Sequence, residues 1–140
     1  MHLSRLLYTS RACPSPSIAD PADQPHVIAS QARERNAQSG VTGCLVLVDG
    51  NYLQILEGAP DRVEETFERI CKDMRHTEVR LIDLVRTTDR AFEGWNMACL
   101  DAGAENGEDA VADDLRYIKN LAGLNATQAV ACMREFVMRR

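Results

Sequence analysis

Apolar residues recur along this chain with two different periods, and the changes of period mark the predicted elements. Alternating or continuous aliphatic and β-branched runs predict strands at about residues 2–10, 41–48, 51–57, 78–87 and 95–100. Apolar residues three and four apart predict helices from Asp23 to about Gln38, from Pro60 to about Met74, and two more after residue 109. The predicted order is β-α-β-β-α-β-β, followed by a pair of helices.

The turn residues limit how these elements connect. Asp49-Gly50 between two apolar runs is a strong signal for an antiparallel hairpin. A hairpin flanked by two crossover helices is the ferredoxin-like arrangement, so the predicted fold class is α+β. Right-handed crossovers are expected to place the first and third strands next to each other at the centre of the sheet, in parallel.

Gln54 is a polar residue inside the apolar run 52–56, and a buried amide needs hydrogen-bond partners. Tyr8 occupies a comparable place in the first strand. Strand alternation puts Tyr8 on one face with Leu6 and Ser10, and Gln54 on one face with Tyr52 and Leu56. If both faces lie against the two helices, a ligand between the helices would touch Tyr8 and Gln54 together.

The C-terminal part of the chain is predicted to be a helical cap. Residues 1–100 would form the main domain, and residues 101–140 would form a cap within the same globular unit, joined by a polar linker to about Asp109. Two amphipathic stripes follow the linker. The favoured interpretation is that this helix pair covers the second face of the sheet. The alternative is a surface for a partner or for a second copy of the chain.

Charge and composition exclude several classes of function. The net charge of −5 and a pI near 5.2 argue against nucleic-acid binding, which relies on clustered Lys and Arg. No apolar run approaches the roughly 20 residues of a membrane span, and no secretory signal pattern is present, so a soluble, cytoplasmic protein is expected. Five widely spaced cysteines without a C-x-x-C pair predict neither a disulfide framework nor a metal site.

Several short motifs occur together and in a fixed order. They are Leu3-x-Arg5-Leu6-Leu7-Tyr8-x-Ser10, Asn36 followed by Gly40-Val41-Thr42-Gly43-x-Leu45, Leu53-Gln54-x-Leu56-Glu57-Gly58, Asp73-x-Arg75-His76, and Phe92-x-x-Trp95-x-Met97. Over residues 1–100 the chain resembles the BLUF family of flavin-binding blue-light receptors, and its remaining helices are similar to those of short, stand-alone members. The resemblance implies a non-covalent flavin, usually FAD, with FMN or riboflavin as substitutes, and no catalytic turnover.

The resemblance also implies roles for individual residues. Tyr8 would donate an electron and a proton to the excited flavin. Gln54 would bridge Tyr8 and the flavin, and would change its orientation or tautomer after light. Asn36 would hydrogen-bond the polar edge of the ring, and Ile28 would contact its apolar part. By themselves, a helix-terminal Asn and a core Ile are ordinary features.

Further candidate residues come from the second helix and the last strand. Arg69, Asp73 and His76 are spaced i, i+4 and i+7 on one predicted helix face, which alone indicates only an exposed ion pair. The resemblance implies that they lie near the flavin edge. Trp95 and Met97 are expected to alternate onto one side of the last strand, and the resemblance implies that they transmit the signal. Arg35 stands where many relatives carry Asn, and it is a candidate contact for a flavin phosphate.

Rival functions remain open at this point. One is a small acylphosphatase-like hydrolase, although the chain lacks a glycine-rich phosphate loop. Another is a flavin-free interaction module with the same fold. If the protein is a photoreceptor, its expected partners are the flavin and a separate downstream signalling protein, with a homo-oligomer as a further option. The C-terminal helices are the expected contact surface.

Overall fold

In the computed structural model, residues 2–102 and 109–139 are described, and they form five strands and four α-helices in the predicted order. The bounds are β1 Leu3–Ala12, α1 Gln24–Ser39, β2 Thr42–Val48, β3 Asn51–Gly58, α2 Pro60–Cys71, β4 His76–Thr87, β5 Ala98–Asp101, α3 Asp109–Ala122 and α4 Ala126–Met138. The predicted α+β class is confirmed. Part of the predicted linker, residues 103–108, lies outside the described residues.

The strands form one mixed sheet in the order β4-β1-β3-β2-β5. β1 lies beside β3 as expected, but the two strands are antiparallel, so the prediction of a parallel pair is wrong. The reason is that the α1 crossover makes β2 parallel to β1, and the tight hairpin then reverses β3. β5 returns beside β2 in parallel.

The antiparallel register places Tyr8 directly opposite Gln54 on the neighbouring strand. The hairpin that sets the register of β3 turns at Asp49 and Gly50, whose φ angles are 52° and 74°. Positive φ at both positions is the conformation that Asp-Gly favours in two-residue hairpins. A local turn signal therefore contributes to aligning the two site residues.

Each face of the sheet packs against a different pair of helices. The face that carries Tyr8, Tyr52 and Leu56 packs with residues of α1 and α2. The opposite face carries Leu7, Leu53 and Ile55 and packs with residues of α3 and α4, as the favoured interpretation of the C-terminal stripes predicts. Its contacts from these helices include Leu115, Ile118, Ala122, Ala129, Val130, Met133 and Val137. The division of the chain into domains at residue 100 stays a prediction.

The end of α1 and the start of α4 follow the sequence signals, whereas the start of α1 does not. Gly40, at φ 72°, ends α1, and the Asn125 side chain accepts a hydrogen bond from the backbone N–H of Gln128 at the start of α4. Asp23 precedes α1 but its side chain makes no capping bond. Instead Asp20 caps the short 3-10 turn Pro21–Asp23 that leads into the helix. Among the described residues, no helix is both long and apolar enough to cross a membrane.

Candidate functional site

A cleft opens between α1 and α2, with β3 as its floor. Its volume is about 490 Å³, counting the part that is open to solvent. The lining residues come from three segments and include most of the predicted site: Ile28, Gln31, Ala32, Arg35 and Asn36 from α1; Gln54 and Leu56 from β3; and Thr66, Arg69, Ile70, Asp73, Arg75 and His76 from α2 and the segment after it.

A chain of three side chains runs beside this floor. The Tyr8 hydroxyl donates a hydrogen bond to Oε1 of Gln54. Nε2 of Gln54 donates in turn to the Met97 sulfur at 3.3 Å. All three side chains are buried. Gln54 therefore uses its acceptor toward Tyr8 and its donor toward Met97, and it can turn only by exchanging or breaking those contacts.

Tyr8 is fully buried and does not itself line the cleft, although the sequence predicted that it would contact the ligand; it lies next to Gln54, between aromatic neighbours. Its ring centroid is 5.4 Å from that of Phe67 and 6.2 Å from that of His76. Burial, and to a lesser extent nearby acidic groups, raise the pKa of the Tyr8 phenol well above its usual value. The phenol is therefore protonated at neutral pH and can donate to Gln54.

Asn36 connects the cleft to the segment before β5. Its Nδ2 donates to the backbone oxygen of Asn96 at 2.6 Å, and Nδ2 of Asn96 donates to the backbone oxygen of Val41 at 3.2 Å. Nε of Arg33 donates to the backbone oxygen of Met97 at 2.8 Å. The end of α1 thus holds the backbone around Met97 by two side chains. The predicted Asn36 is one of them, whereas sequence reasoning did not single out Arg33.

Arg69, Asp73 and His76 do not share one helix face, so that part of the prediction is wrong. α2 ends at Cys71, Asp73 lies in the turn that follows, and His76 begins β4. The helix ends early because backbone N–H groups of Lys72 and Asp73 bond carbonyls of the last turn, at Arg69 and Ile70, three residues back. All three predicted residues nevertheless line the cleft, Arg69 as an exposed cation.

Arg75 is a cleft residue to which the sequence motif gave no role. Its guanidinium binds both carboxylate oxygens of Asp73, the nearer at 2.6 Å, and donates to Oε1 of Gln31 on α1 at 2.8 Å. Burial pushes the pKa of Asp73 upward, but the hydrogen bonds and charge of Arg75 outweigh burial and leave that pKa below its usual value. The pair therefore bridges the two walls of the cleft.

His76 is buried beside the Tyr8 ring, and its Nδ1 lies 2.9 Å from Oγ of Ser10. Burial lowers the pKa of His76 from 6.5 to about 4; Asp73 opposes that change and Arg75 adds to it. The imidazole is therefore neutral in the folded protein at physiological pH.

We expect acidification from about pH 6.5 toward 5 to lower the free energy of unfolding. His76 takes up a proton near pH 6.5 in the unfolded state but only near pH 4 in the folded state. The free energy of unfolding therefore falls between pH 6.5 and pH 4, by ~3 kcal/mol in total. Urea unfolding at several pH values checks this. In a His76→Gln variant the slope should flatten, and an equally steep slope there would assign the proton uptake to another group.

Trp95 and Met97 do not alternate along a strand, because β5 begins only at Ala98. Both lie in the irregular segment before it, and they point to different surroundings. Met97 is buried against Gln54, whereas Trp95 is 42% exposed. Trp95 lines a groove between residues 90–95 and the C-terminal end of α4, with Arg134, Val137 and Met138 on the far side.

The chemistry of the cleft fits a flavin ring, which has an apolar end and a polar edge carrying both donors and acceptors. Ile28, Leu56 and Ile70 supply apolar surface, and the amides of Asn36 and Gln54 offer both kinds of polar group. Arg35 and Arg69 place positive charge at the cleft, which suits a phosphate-bearing side chain.

Comparisons with known proteins identify the family of this chain. The family model described as "Sensors of blue-light using FAD" matches residues 3–98. Photoactivated adenylate cyclase subunit beta of Euglena gracilis is 36% identical over 96 residues, which is 68% of this chain and 11% of that protein. The blue light- and temperature-regulated antirepressor BluF of Escherichia coli (strain K12) is 35% identical over 60 residues, 43% of this chain and 15% of that protein. The chain thus spans only a small fraction of the length of these relatives.

Solved structures give the same result. The dark-state structure of BlrB, a BLUF protein, is 30% identical with a TM-score of 0.69, over 93% of this chain and 97% of that one. The photo-activated state of BlsA is 25% identical with a TM-score of 0.68, over 88% and 80% of the two chains. A bacterial light-regulated adenylyl cyclase, at 24% identity and a TM-score of 0.70 over 90% of this chain and 35% of that one, shows the shared fold.

Fold and cleft together define a ferredoxin-like domain with a candidate ligand-binding cleft between two helices. The chain belongs to the BLUF family, the blue-light sensors that use FAD. BLUF domains bind flavin and act as sensor modules rather than as catalysts. Neither the hydrolase nor the flavin-free module is favoured by this membership.

Proposed function

We propose that this chain is a blue-light photoreceptor module that holds FAD non-covalently in the cleft and signals through the Tyr8, Gln54 and Met97 contacts. The observation that carries the proposal is the hydrogen-bonded chain from Tyr8 through Gln54 to Met97 along the cleft floor. It joins the cleft to residues 95–97, which run from the buried Met97 to the partly exposed Trp95. A protein that only stored a flavin would not need this connection.

The residues that would hold the ligand come from both walls. Asn36 and Gln54 would bond the polar edge of the ring, and Ile28 would pack on its apolar part. Arg69 and Arg35 would attract the phosphates, whereas Asp73 and His76 would lie near the edge of the ring. We infer FAD rather than FMN or riboflavin from the two cations, because a longer phosphate-bearing tail gives both of them a partner.

When bound, the flavin supplies the absorption of blue light and an excited state that accepts an electron. Tyr8 would be the electron donor, and its proton would pass along the existing hydrogen bond to Oε1 of Gln54 while Nε2 of Gln54 gives up a proton to the ligand, so that the amide changes tautomer and stays neutral. The amide then exchanges its contacts, with or without a rotation of the side chain. Its other neighbour is Met97, so a change at the amide alters the packing of the segment before β5.

The signal would leave the core along that segment. Residues 95–97 carry the buried Met97 at one end and the half-exposed Trp95 at the other, and Trp95 faces the last turn of α4. We propose that movement here changes the surface formed with α4 and acts on a separate protein. A light-dependent hydrogen-exchange difference confined to residues before 95 would contradict this route.

The test of the proposed function is the visible absorption of the purified protein in the dark, after blue light and during dark recovery. We expect a flavin spectrum that moves slightly to the red and then returns. Chromatography of the released ligand would identify FAD, FMN or riboflavin. A colourless protein that takes up no added flavin would remove the proposal and leave a flavin-free module as the surviving function.

A further inference from the structure

Glu57 is a carboxylate at the end of β3 that has no access to solvent. Its Oε2 accepts hydrogen bonds from Nε of Arg5 at 3.0 Å and from the backbone N–H of Ala91 at 2.7 Å. Its Oε1 accepts from the backbone N–H of Phe92 at 2.9 Å and from Oγ1 of Thr42 at 3.2 Å. One side chain therefore joins β1, β2, β3 and the turn at residues 91–94.

The turn depends strongly on these bonds because it is irregular backbone that no strand pairs with. Arg90 strengthens its attachment by donating to the backbone oxygen of Glu57 at 3.2 Å and to Oγ1 of Thr42 at 3.0 Å. The buried Phe92 continues the connection, since its backbone oxygen accepts from the N–H of Trp95 at 2.9 Å. Glu57 thus fixes the start of the segment that carries Trp95 and Met97.

The other end of the connection is the photoactive amide. Gln54 lies three residues before Glu57 on the same strand, a distance of about 10 Å. We propose that Glu57 is a positioning residue, which holds the turn at residues 91–94 against the end of β3 and so sets where Met97 and Trp95 lie relative to Gln54. This inference rests on the proposed function for its light-dependent part only.

Glu57→Gln tests this inference most directly, because it keeps the shape of the side chain and removes the charge and one acceptor oxygen. Each carboxylate oxygen now receives one backbone N–H, from Ala91 or from Phe92. An amide has a single oxygen, so in either orientation one of these N–H groups faces an NH₂ donor. Losing one charge-assisted bond should shift the balance toward a released turn by about tenfold.

The chain contains a single tryptophan, so its fluorescence reports on Trp95 alone. In Glu57→Gln we expect acrylamide to quench Trp95 more strongly in the dark than in the wild type, and light to add little further change. The red shift of the flavin should persist, because Tyr8 and Gln54 are unchanged. Glu65→Gln is the matched control: it removes an exposed carboxylate paired with Arg62 on α2 and should leave Trp95 unaffected.

Equal quenching of Trp95 in Glu57→Gln, in the control and in the wild type would overturn the inference. Loss of the red shift with flavin still bound would also overturn it, since Glu57 would then act on the photoactive pair itself. If circular dichroism shows that Glu57→Gln is unfolded, Thr42→Val replaces it, because this variant removes one hydrogen-bond donor to Glu57. Quenching of Trp95 equal to that of the wild type in Thr42→Val would then overturn the inference. Absence of flavin or of a red shift in the wild type would refute the proposed function, while the dark comparison of Trp95 would still test Glu57.

Discussion

Gln54→Ala is expected to give a protein that binds flavin and absorbs blue light, but whose spectrum no longer moves on illumination. Alanine keeps the strand but removes the acceptor for Tyr8 and the donor to Met97. The ligand would keep its other proposed contacts, with Asn36 and with residues of α2 that line the cleft. The measurement is the difference spectrum between illuminated and dark protein, and the expected loss of the red shift is complete.

Tyr8→Phe should abolish the same shift through the other half of the pair, because the phenol is the group that donates to Gln54. Tyr52→Phe is the matched control. Tyr52 is a buried phenol on the same face, but its oxygen accepts from Gln24 instead and makes no bond to Gln54. A normal red shift in Tyr8→Phe, or its loss in Tyr52→Phe, would show that the assignment of the photoactive phenol is wrong.

The sequence predicts that Tyr8 and Gln54 form a pair because the signals for it are residue patterns within single strands and turns. A polar amide within an apolar strand, a tyrosine in another strand, and an Asp-Gly hairpin flanked by two crossover helices predict that Tyr8 and Gln54 lie on neighbouring strands, and the structure pairs them directly. The predicted direction of β3 relative to β1 is wrong because β2 runs parallel to β1 and the hairpin then reverses the chain, so β3 must run antiparallel to β1. Strand alternation depends on position and not on direction, so the prediction of which side chains share a face was unaffected.

The predictions that failed concern places where regular periodicity stops. Helical spacing was extended to Asp73 and His76, but α2 ends at Cys71, and a turn brings both residues to the cleft by another path. Strand alternation was likewise extended to Trp95 and Met97, which precede β5. No periodic pattern describes an irregular segment, because its shape is set by individual bonds such as those from Glu57 and Arg33.

Gly43 shows how closely that irregular segment packs on the sheet. It lies on β2 opposite Leu56 of β3, and its N–H donates to the backbone oxygen of Trp95 at 3.0 Å. A Cβ built on Gly43 would clash with the backbone oxygen of Ile55 and would lie 3.4 Å from Cε of Met97. Only a residue without a side chain lets these backbones approach each other, which links the glycine in the motif at residues 40–43 to the placement of Met97.

Gly43→Ala is therefore expected to destabilise the fold strongly, by about 3 kcal/mol or more, because the close atom is backbone and cannot rotate away. The midpoint of urea unfolding, followed by circular dichroism, measures this loss. Gly123→Ala is the control: the nearest atom to its Cβ would be 3.8 Å away and the position has no positive φ, so a near-neutral effect is expected. In folded Gly43→Ala, β2 must move away from β3, and the Gln54 to Met97 contact should weaken with it. Equal midpoints for the two variants would mean that the sheet yields easily at Gly43, and that the glycine does not set the position of Met97.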